Sequence, residues 1–440
     1  MKRAIMFAAI LAGVLLADFV LFRAGSANAQ DGRTIYDPDP NQLWNRLNVA
    51  LFQRTAPDGK QYGLNELDIL YWTGTTNLLA GPSHQQALSV LNEFINAHGE
   101  RLIHDPLKKA LLQRDLWALF DWVARPISRD HAQERRELES RLAVVIRRLE
   151  LTTNEIASLP DNYALAETDD LPDLPHGLFQ TNGDWINIRA DLAELTVPMH
   201  VRFFGGRSVF TVWFRDADGR RAGMDYLKQL QAFKPMFVRT TNSESQEEIE
   251  LNPALPQFPA HSQWALARRM CVIDTDGEIK PTHLVESIQL RTYLAIADAA
   301  VEMVTNRNGF VVPKPFPPQR FNEFRMTRDS RASLISLAQN AKDFDFVHFF
   351  SMGRDLFELR SETNYDSTAY QFKILGTCYE CHTAPGIYSV NSFTRRLSGS
   401  PLVPPQISGS EPEREQEATL DWKEEQFDWG LLQGLWQGKN

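Results

Sequence analysis

The chain has 440 residues, a formal net charge of −10 at pH 7 and a hydrophobic share of 43%, with 26 Phe and 10 Trp. That content is ample for packed cores and argues against disorder, while the acidity argues against nucleic acid and anionic lipid as partners. Only 3 cysteines exclude a disulfide framework, so the cores must hold the fold.

Lys2 and Arg3, the apolar run Ala4 to Ala17 and then Ala27-Asn28-Ala29 read as a signal peptide over residues 1–29, with an A-x-A cleavage site. The apolar run is too short to cross a bilayer comfortably as a helix. Asp18 and Arg23 flank the apolar Phe19 to Phe22 and break up its continuation, so an uncleaved amino-terminal anchor is the competing reading. Removing residues 1–29 takes away Lys2, Arg3, Arg23 and Asp18 and leaves the chain more acidic still. No later stretch of about 18 apolar residues occurs, so the mature chain is expected to have no membrane span and to be periplasmic or secreted.

Residues 30–165 carry apolar positions three and four apart, as in Leu43, Leu47 and Leu51 or Leu88, Leu91 and Ile95, which predicts a helical domain. Asp105-Pro106 predicts a helix start, with Leu107, Leu111, Leu112, Leu116, Leu119 and Trp122 as its buried stripe. A further helix is expected over Asp130 to Leu151 with Leu138, Leu142, Ile146 and Leu149 inward, and Thr152 to Glu155 caps a short one. Between Thr168 and Phe179, Asp169, Asp170, Pro172, Asp173 and Pro175 read as a linker.

Over residues 177–330 the period changes to two. Strands are expected at Ser208 to Phe214, Trp264 to Ile273 and around Leu284, Ile288 and Leu290, with Ser287, Gln289 and Arg291 on the opposite face, and another at Phe321 to Met326. Asp216 to Gly219 and Asp274 to Gly277 read as hairpin turns; calcium is refused, because an EF-hand register would put Phe214 or Val272 at its first ligand position. Tyr226 to Phe233 is expected to be helical. Residues 331–440 read as irregular, with one closing helix from Leu420 to Trp436 that carries Trp422, Trp429, Leu432 and Trp436 on one face.

Cys378-Tyr379-Glu380-Cys381-His382 is a C-x-x-C-H run and uses two of the three cysteines. Two thiols at this spacing can each form a thioether to a haem vinyl group, and His382 then reaches the iron as proximal ligand, which implies one covalent haem c. Cys271, in an apolar run, reads as a buried bystander. Apolar Phe372, Ile374 and Leu375 before the run, and Ile387, Tyr388 and Val390 after it, suit a haem crevice, and Pro385-Gly386 turns the chain. The expected fold class is therefore α+β, with a helical amino-terminal domain, a strand-rich α+β middle domain and an irregular and helical, haem-bearing carboxy-terminal region.

Through that run the chain resembles the c-type cytochromes, and export fits the resemblance, since these proteins are assembled outside the bacterial inner membrane. The small class I members place the run early and draw a sixth ligand from a downstream Met. Here no Met and no His occurs in the 58 residues after His382. The second ligand is therefore an upstream residue, with His348 and Met352 first and Met326, His283, Met199 and His200 after them, or the site is open. The wider layout, with Leu159-Pro160-Asp161-Asn162-Tyr163 and Gly206-Arg207-Ser208-Val209-Phe210 ahead of the cysteine pair, also resembles exported bacterial proteins of unassigned function. Three functions are compatible with these residues: a monohaem electron carrier with a redox partner protein, a haem enzyme or gas or redox sensor with an open distal site, and a non-haem protein whose Cys378 and Cys381 form a disulfide or hold zinc.

Overall fold

The computed structural model describes residues 34–55, 61–63, 76–125, 130–190, 195–233, 237–241, 247–252, 254–294, 303–305, 311–313, 319–337, 386–389, 405–407 and 412–438. Within them the fold is α+β, helices packed on an antiparallel sheet. The expected signal peptide lies outside the described residues. Among those residues no helix is long and apolar enough to cross a membrane.

The front of the chain holds α1 (Leu43–Phe52), a small pair β1 (Arg54–Thr55) and β2 (Gln61–Tyr62), and α2 (Gly81–Asn96). At its centre is α3 (Pro106–Ala124). Asp105 caps α3, accepting from Leu107 N at 2.9 Å and Lys108 N at 3.3 Å, and Pro106 fills the first turn, where its missing N–H breaks no bond. Most of this helix is buried, because α4 (Ala132–Arg148) packs on one flank and the sheet on another. Two short helices come next, α5 (Thr153–Ala157) behind a Thr152/Glu155 capping box and α6 (Asn162–Thr168).

The second half alternates: β3 (Ile186–Ala190), α7 (Pro198–Phe203), β4 (Ser208–Arg215), α8 (Arg220–Ala232), a hairpin of β5 (Phe237–Thr241) and β6 (Glu247–Leu251), then β7 (Gln263–Ile273) and β8 (Ile279–Tyr293). A pair of β9 (Met303–Thr305) and β10 (Val311–Pro313) precedes β11 (Gln319–Met326), β12 (Leu334–Leu337) and β13 (Pro405–Ile407). Helices α9 (Pro412–Glu424) and α10 (Phe427–Trp436) close the described chain. Seven strands form one antiparallel sheet in the order β12-β11-β8-β7-β4-β3-β13. The chain leaves this sheet at one edge and rejoins it at the other. Six strand spacings of about 4.8 Å put those edges about 29 Å apart.

The two faces of the sheet differ. Val209, Trp213, Ala265, Ala267, Ile288, Leu290 and Phe324 share one core with the helices of the front half. On the opposite face Ile186, Ile188, Phe214 and Trp264 join α8, Phe258 and Tyr293 in a second, aromatic core. Two buried amides stitch helices to sheet. Gln113 donates to Leu149 O at 3.0 Å and Ile273 O at 2.8 Å and accepts from Ile273 N at 2.8 Å. Asn162 donates to Val285 O at 3.0 Å and Ala332 O at 2.8 Å and accepts from Val285 N at 2.8 Å. Saturated in this way, neither amide carries the penalty of a buried polar group left unpaired.

Two local expectations change. Asp274 to Gly277 is a hairpin turn, joining β7 to β8, with Asp274 Oδ1 accepting from Asp276 N and Glu278 N. Asp216 to Gly219 instead passes from a strand into a helix: Gly219, at φ 91, is the N-cap of α8, which begins at Arg220 rather than Tyr226. Arg220 donates to Gly183 O at 2.7 Å and Trp185 O at 2.9 Å, and that tertiary anchor turns the chain there. The closing helix is two helices. Gln426 stands at the junction, its amide donating to Trp422 O at 2.7 Å, and Trp422 packs in a separate small cluster with Phe204 and Phe210, while Trp429, Leu432 and Trp436 join the front core. Trp436 Nε1 donates to Ala143 O at 2.8 Å, so the end of the chain docks on the front helices.

Candidate functional site

Cys378, Cys381 and His382 lie outside the described residues, as do His348 and Met352. The nearest described segment is the 3-10 turn Gly386–Ser389, which begins four residues after His382. Its seat is well defined. Ile387 is fully buried among Phe258, Trp264, Tyr293, Phe214 and Tyr226, and its N–H donates to Gln257 Oε1 at 2.9 Å. Gly386 has φ 50, and a Cβ there would collide with the Gln257 carboxamide, so this position takes glycine on two counts. Phe258 stands 5.0 Å from Trp264 and 5.2 Å from Tyr293, ring centroid to centroid. Apolar burial and one hydrogen bond thus pin the chain just beyond the C-x-x-C-H run to the aromatic face of the sheet.

The remaining upstream candidates are spread apart. Met326 is buried in the front core, His283 is exposed on β8, and Met199 is exposed on α7. His200 stacks at 5.6 Å on Phe210, in the third cluster. None of the four belongs to the aromatic cluster that receives Ile387. His261 is closer to that cluster in the chain: it is exposed, has φ 62, and its N–H donates to Tyr293 O at 2.6 Å. Cys271 is free and wholly buried, and burial, reinforced by Glu286, pushes its thiol up to about 12, which leaves it an inert packing residue.

Charge is buried in three places. Where α9 meets α3, Lys423 Nζ donates to Asp121 at 2.6 Å and pairs with Asp428, Arg207 pairs with Asp121, and Arg125 reaches Asp428 at 2.5 Å. Burial opposes the Asp428 charge, but Lys423 and Arg125 outweigh it and hold that carboxyl below its ordinary range. Between α3 and the sheet, Arg114 meets Glu286 at 3.1 Å and Arg268 meets it at 3.6 Å, while Arg328 grips both oxygens of Asp115. On the aromatic face, Arg291 is 7% exposed. Its guanidinium lies 5.4 Å from the Phe321 ring and 3.5 Å from Tyr293 Oη, and among the described residues it meets no carboxylate.

Gln257, Tyr293 and Arg291 were not among the candidates named from sequence. Of the three, only Arg291 left a trace there, as a charged residue at an alternating position of a strand, on the face opposite Leu284, Ile288 and Leu290. No protein-family model matches this chain, and neither a curated protein nor a solved structure matches it.

Proposed function

We propose that the chain is an exported monohaem c-type cytochrome-like protein that transfers electrons, periplasmic or secreted, and passes them to or from a redox partner protein. The observation that carries this reading is the C-x-x-C-H run. Cys378 and Cys381 would hold haem c by two thioethers, and His382 would be the proximal ligand. Bound haem supplies a one-electron iron couple. The chain's own part is to fix the attachment segment and keep water away from it. Ile387, Gln257 and Gly386 serve that purpose: five residues of chain span at most about 18 Å, so the seat of Ile387 limits how far His382 can stray from the aromatic face. A net charge of −10 favours a partner with a basic docking surface.

The lack of any Met or His in the 58 residues after His382 favours a second reading, in which the iron's other face is open and the protein is a haem enzyme or a gas or redox sensor. Expression with residues 1–29 in a host that matures c-type haem, followed by denaturing gel staining for haem peroxidase and a pyridine haemochrome spectrum, tests both. Covalent haem is the expected result. Its absence leaves a disulfide or zinc site at Cys378 and Cys381. Rapid carbon monoxide binding by the reduced protein decides for the open site over the electron carrier, and replacement of His348 or Met352 shifts the spectrum only if that side chain binds iron.

A further inference from the structure

The Asp- and Pro-rich segment from Asp170 to His176 walls a cavity of about 380 Å³ at one end of the sheet. The floor of this cavity belongs to a cross-strand row on the front face of the sheet. Arg215 of β4 stands opposite Gln263 of β7, Gln263 opposite Thr292 of β8, and Thr292 opposite Arg320 of β11. Leu290, two residues before Thr292 on the same strand, adds a buried apolar side chain to that floor between the two arginines. The wall is held in place from behind: Tyr163 Oη donates to Pro175 O, Trp185 Nε1 donates to His176 O at 3.0 Å, and Leu174 is buried. Asp170 and Asp173 hold φ 53 and φ 62, left-handed values that side chains resist, aspartate and asparagine least.

This floor has donors to spare. Arg215 gives one N–H to Gln263 Oε1 at 3.4 Å and meets Asp184 only at 3.7 Å. Asp173 Oδ1 lies 3.3 Å from Arg320 Nη1 without a hydrogen bond between them. Gln263 Nε2 donates to Thr292 Oγ1 at 3.1 Å, which orients the carboxamide and leaves its second N–H over. A guanidinium presents its donors as a planar fork that matches a carboxylate. The two forks start from strands three spacings apart, about 14 Å at the backbone, which suits an anion charged at both ends better than a compact one. Leu290 between them suits a hydrocarbon middle.

We propose that this cavity binds a small dicarboxylate, with one carboxylate on Arg215 and Gln263, the other on Arg320, and the connecting methylenes over Leu290. The site lies on the face of the sheet opposite the aromatic cluster and is independent of haem. Asp173 is the internal competitor, which the ligand displaces from Arg320. Isothermal titration of the full chain with succinate, glutarate and adipate tests the site, at low ionic strength because salt screens half-exposed charges. Acetate and inorganic phosphate are the comparison probes.

One of the diacids should bind about tenfold tighter than acetate or phosphate, and Arg215→Gln and Arg320→Gln should each weaken it about tenfold. Lys228→Gln removes an exposed charge on α8 and should change nothing. Asp173→Asn keeps a residue that tolerates the left-handed backbone and should tighten binding by freeing Arg320. Failure of all three diacids to bind overturns the inference, as does phosphate binding as tightly as the best of them. Weaker binding by Asp173→Asn also overturns it, since that carboxylate would then be holding a cationic group of the ligand. Both arginines are partly exposed, so the variants should fold, which their melting temperatures check. If a glutamine form does not fold, Arg215→Lys and Arg320→Lys, which keep the charge and lose the fork, carry the same comparison with a smaller loss.

Discussion

Lys423 and Arg291 are both buried cations, and their surroundings are opposites. Lys423 is wholly buried where α9 meets α3, with Asp121 and Asp428 as partners and the Trp117 ring 5.4 Å away. Arg291 is almost as deep, and among the described residues only a ring and a phenol attend it. A saturated ion cluster explains itself as structure: it fixes the angle at which the terminal helices dock, and its members satisfy one another. At Arg291 a ring face and a phenol oxygen stand where carboxylates stand around Lys423. Burial alone therefore says little about role, and the inventory of partners says more.

The largest expected effect tests the saturated cluster. Lys423→Met leaves Asp121 and Asp428 without the cation they share, and should cost about 3–5 kcal/mol in denaturant unfolding. A loss under about 1 kcal/mol would mean that the cluster holds less than its geometry implies. A smaller effect belongs to the seat beside Arg291. Gln257→Ala removes the acceptor of Ile387 N–H and should cost about 1 kcal/mol, with faster hydrogen exchange at Ile387 as the local readout; exchange unchanged from wild type would dismiss the anchor.

The smallest effect is a pH slope. Glu150 is raised to about 7 because burial disfavours its charge, Arg147 notwithstanding. Its folded value lies above the ordinary 4.5, so the folded state binds the extra proton between the two, and this contribution to stability falls as pH rises from about 4.5 to about 7. Glu150→Gln should flatten that part of the profile of urea midpoint against pH. An unchanged slope would place the titration elsewhere.

Legibility in the sequence tracked the range of the forces involved. The start of α3 could be read from Asp105-Pro106 because capping is chemistry between neighbours, and the β7–β8 turn could be read from Asp274 to Gly277 for the same reason. The break between α9 and α10 could not, since Lys423 and Asp428 close that corner only after Asp121 is in place. Arg220 at the head of α8 needed carbonyls 35 and 37 residues away. At Arg291 the pattern gave the face correctly but not its burial: alternation marks a residue as facing away from one core and says nothing about whether a second core covers it. The C-x-x-C-H run was legible because it is a pattern of spacing alone, whereas the seat of the turn just beyond it depends on Gln257 and Phe258, over a hundred residues earlier in the chain.

The strand order also imposes a schedule. β12 and β13 are opposite edges of one sheet, with residues 338–404 between them in the chain, and Lys423 closes on Asp121 across a separation of 302 residues. A chain emerging from its amino terminus can pair β3, β4, β7, β8, β11 and β12 before the cysteines appear, but it cannot add its last edge or its last helices until the whole intervening segment has passed. Contacts so distant in sequence form late and slowly. Six strands of the sheet thus precede the two cysteines in the chain, while its final edge and its last two helices wait for residues beyond 404.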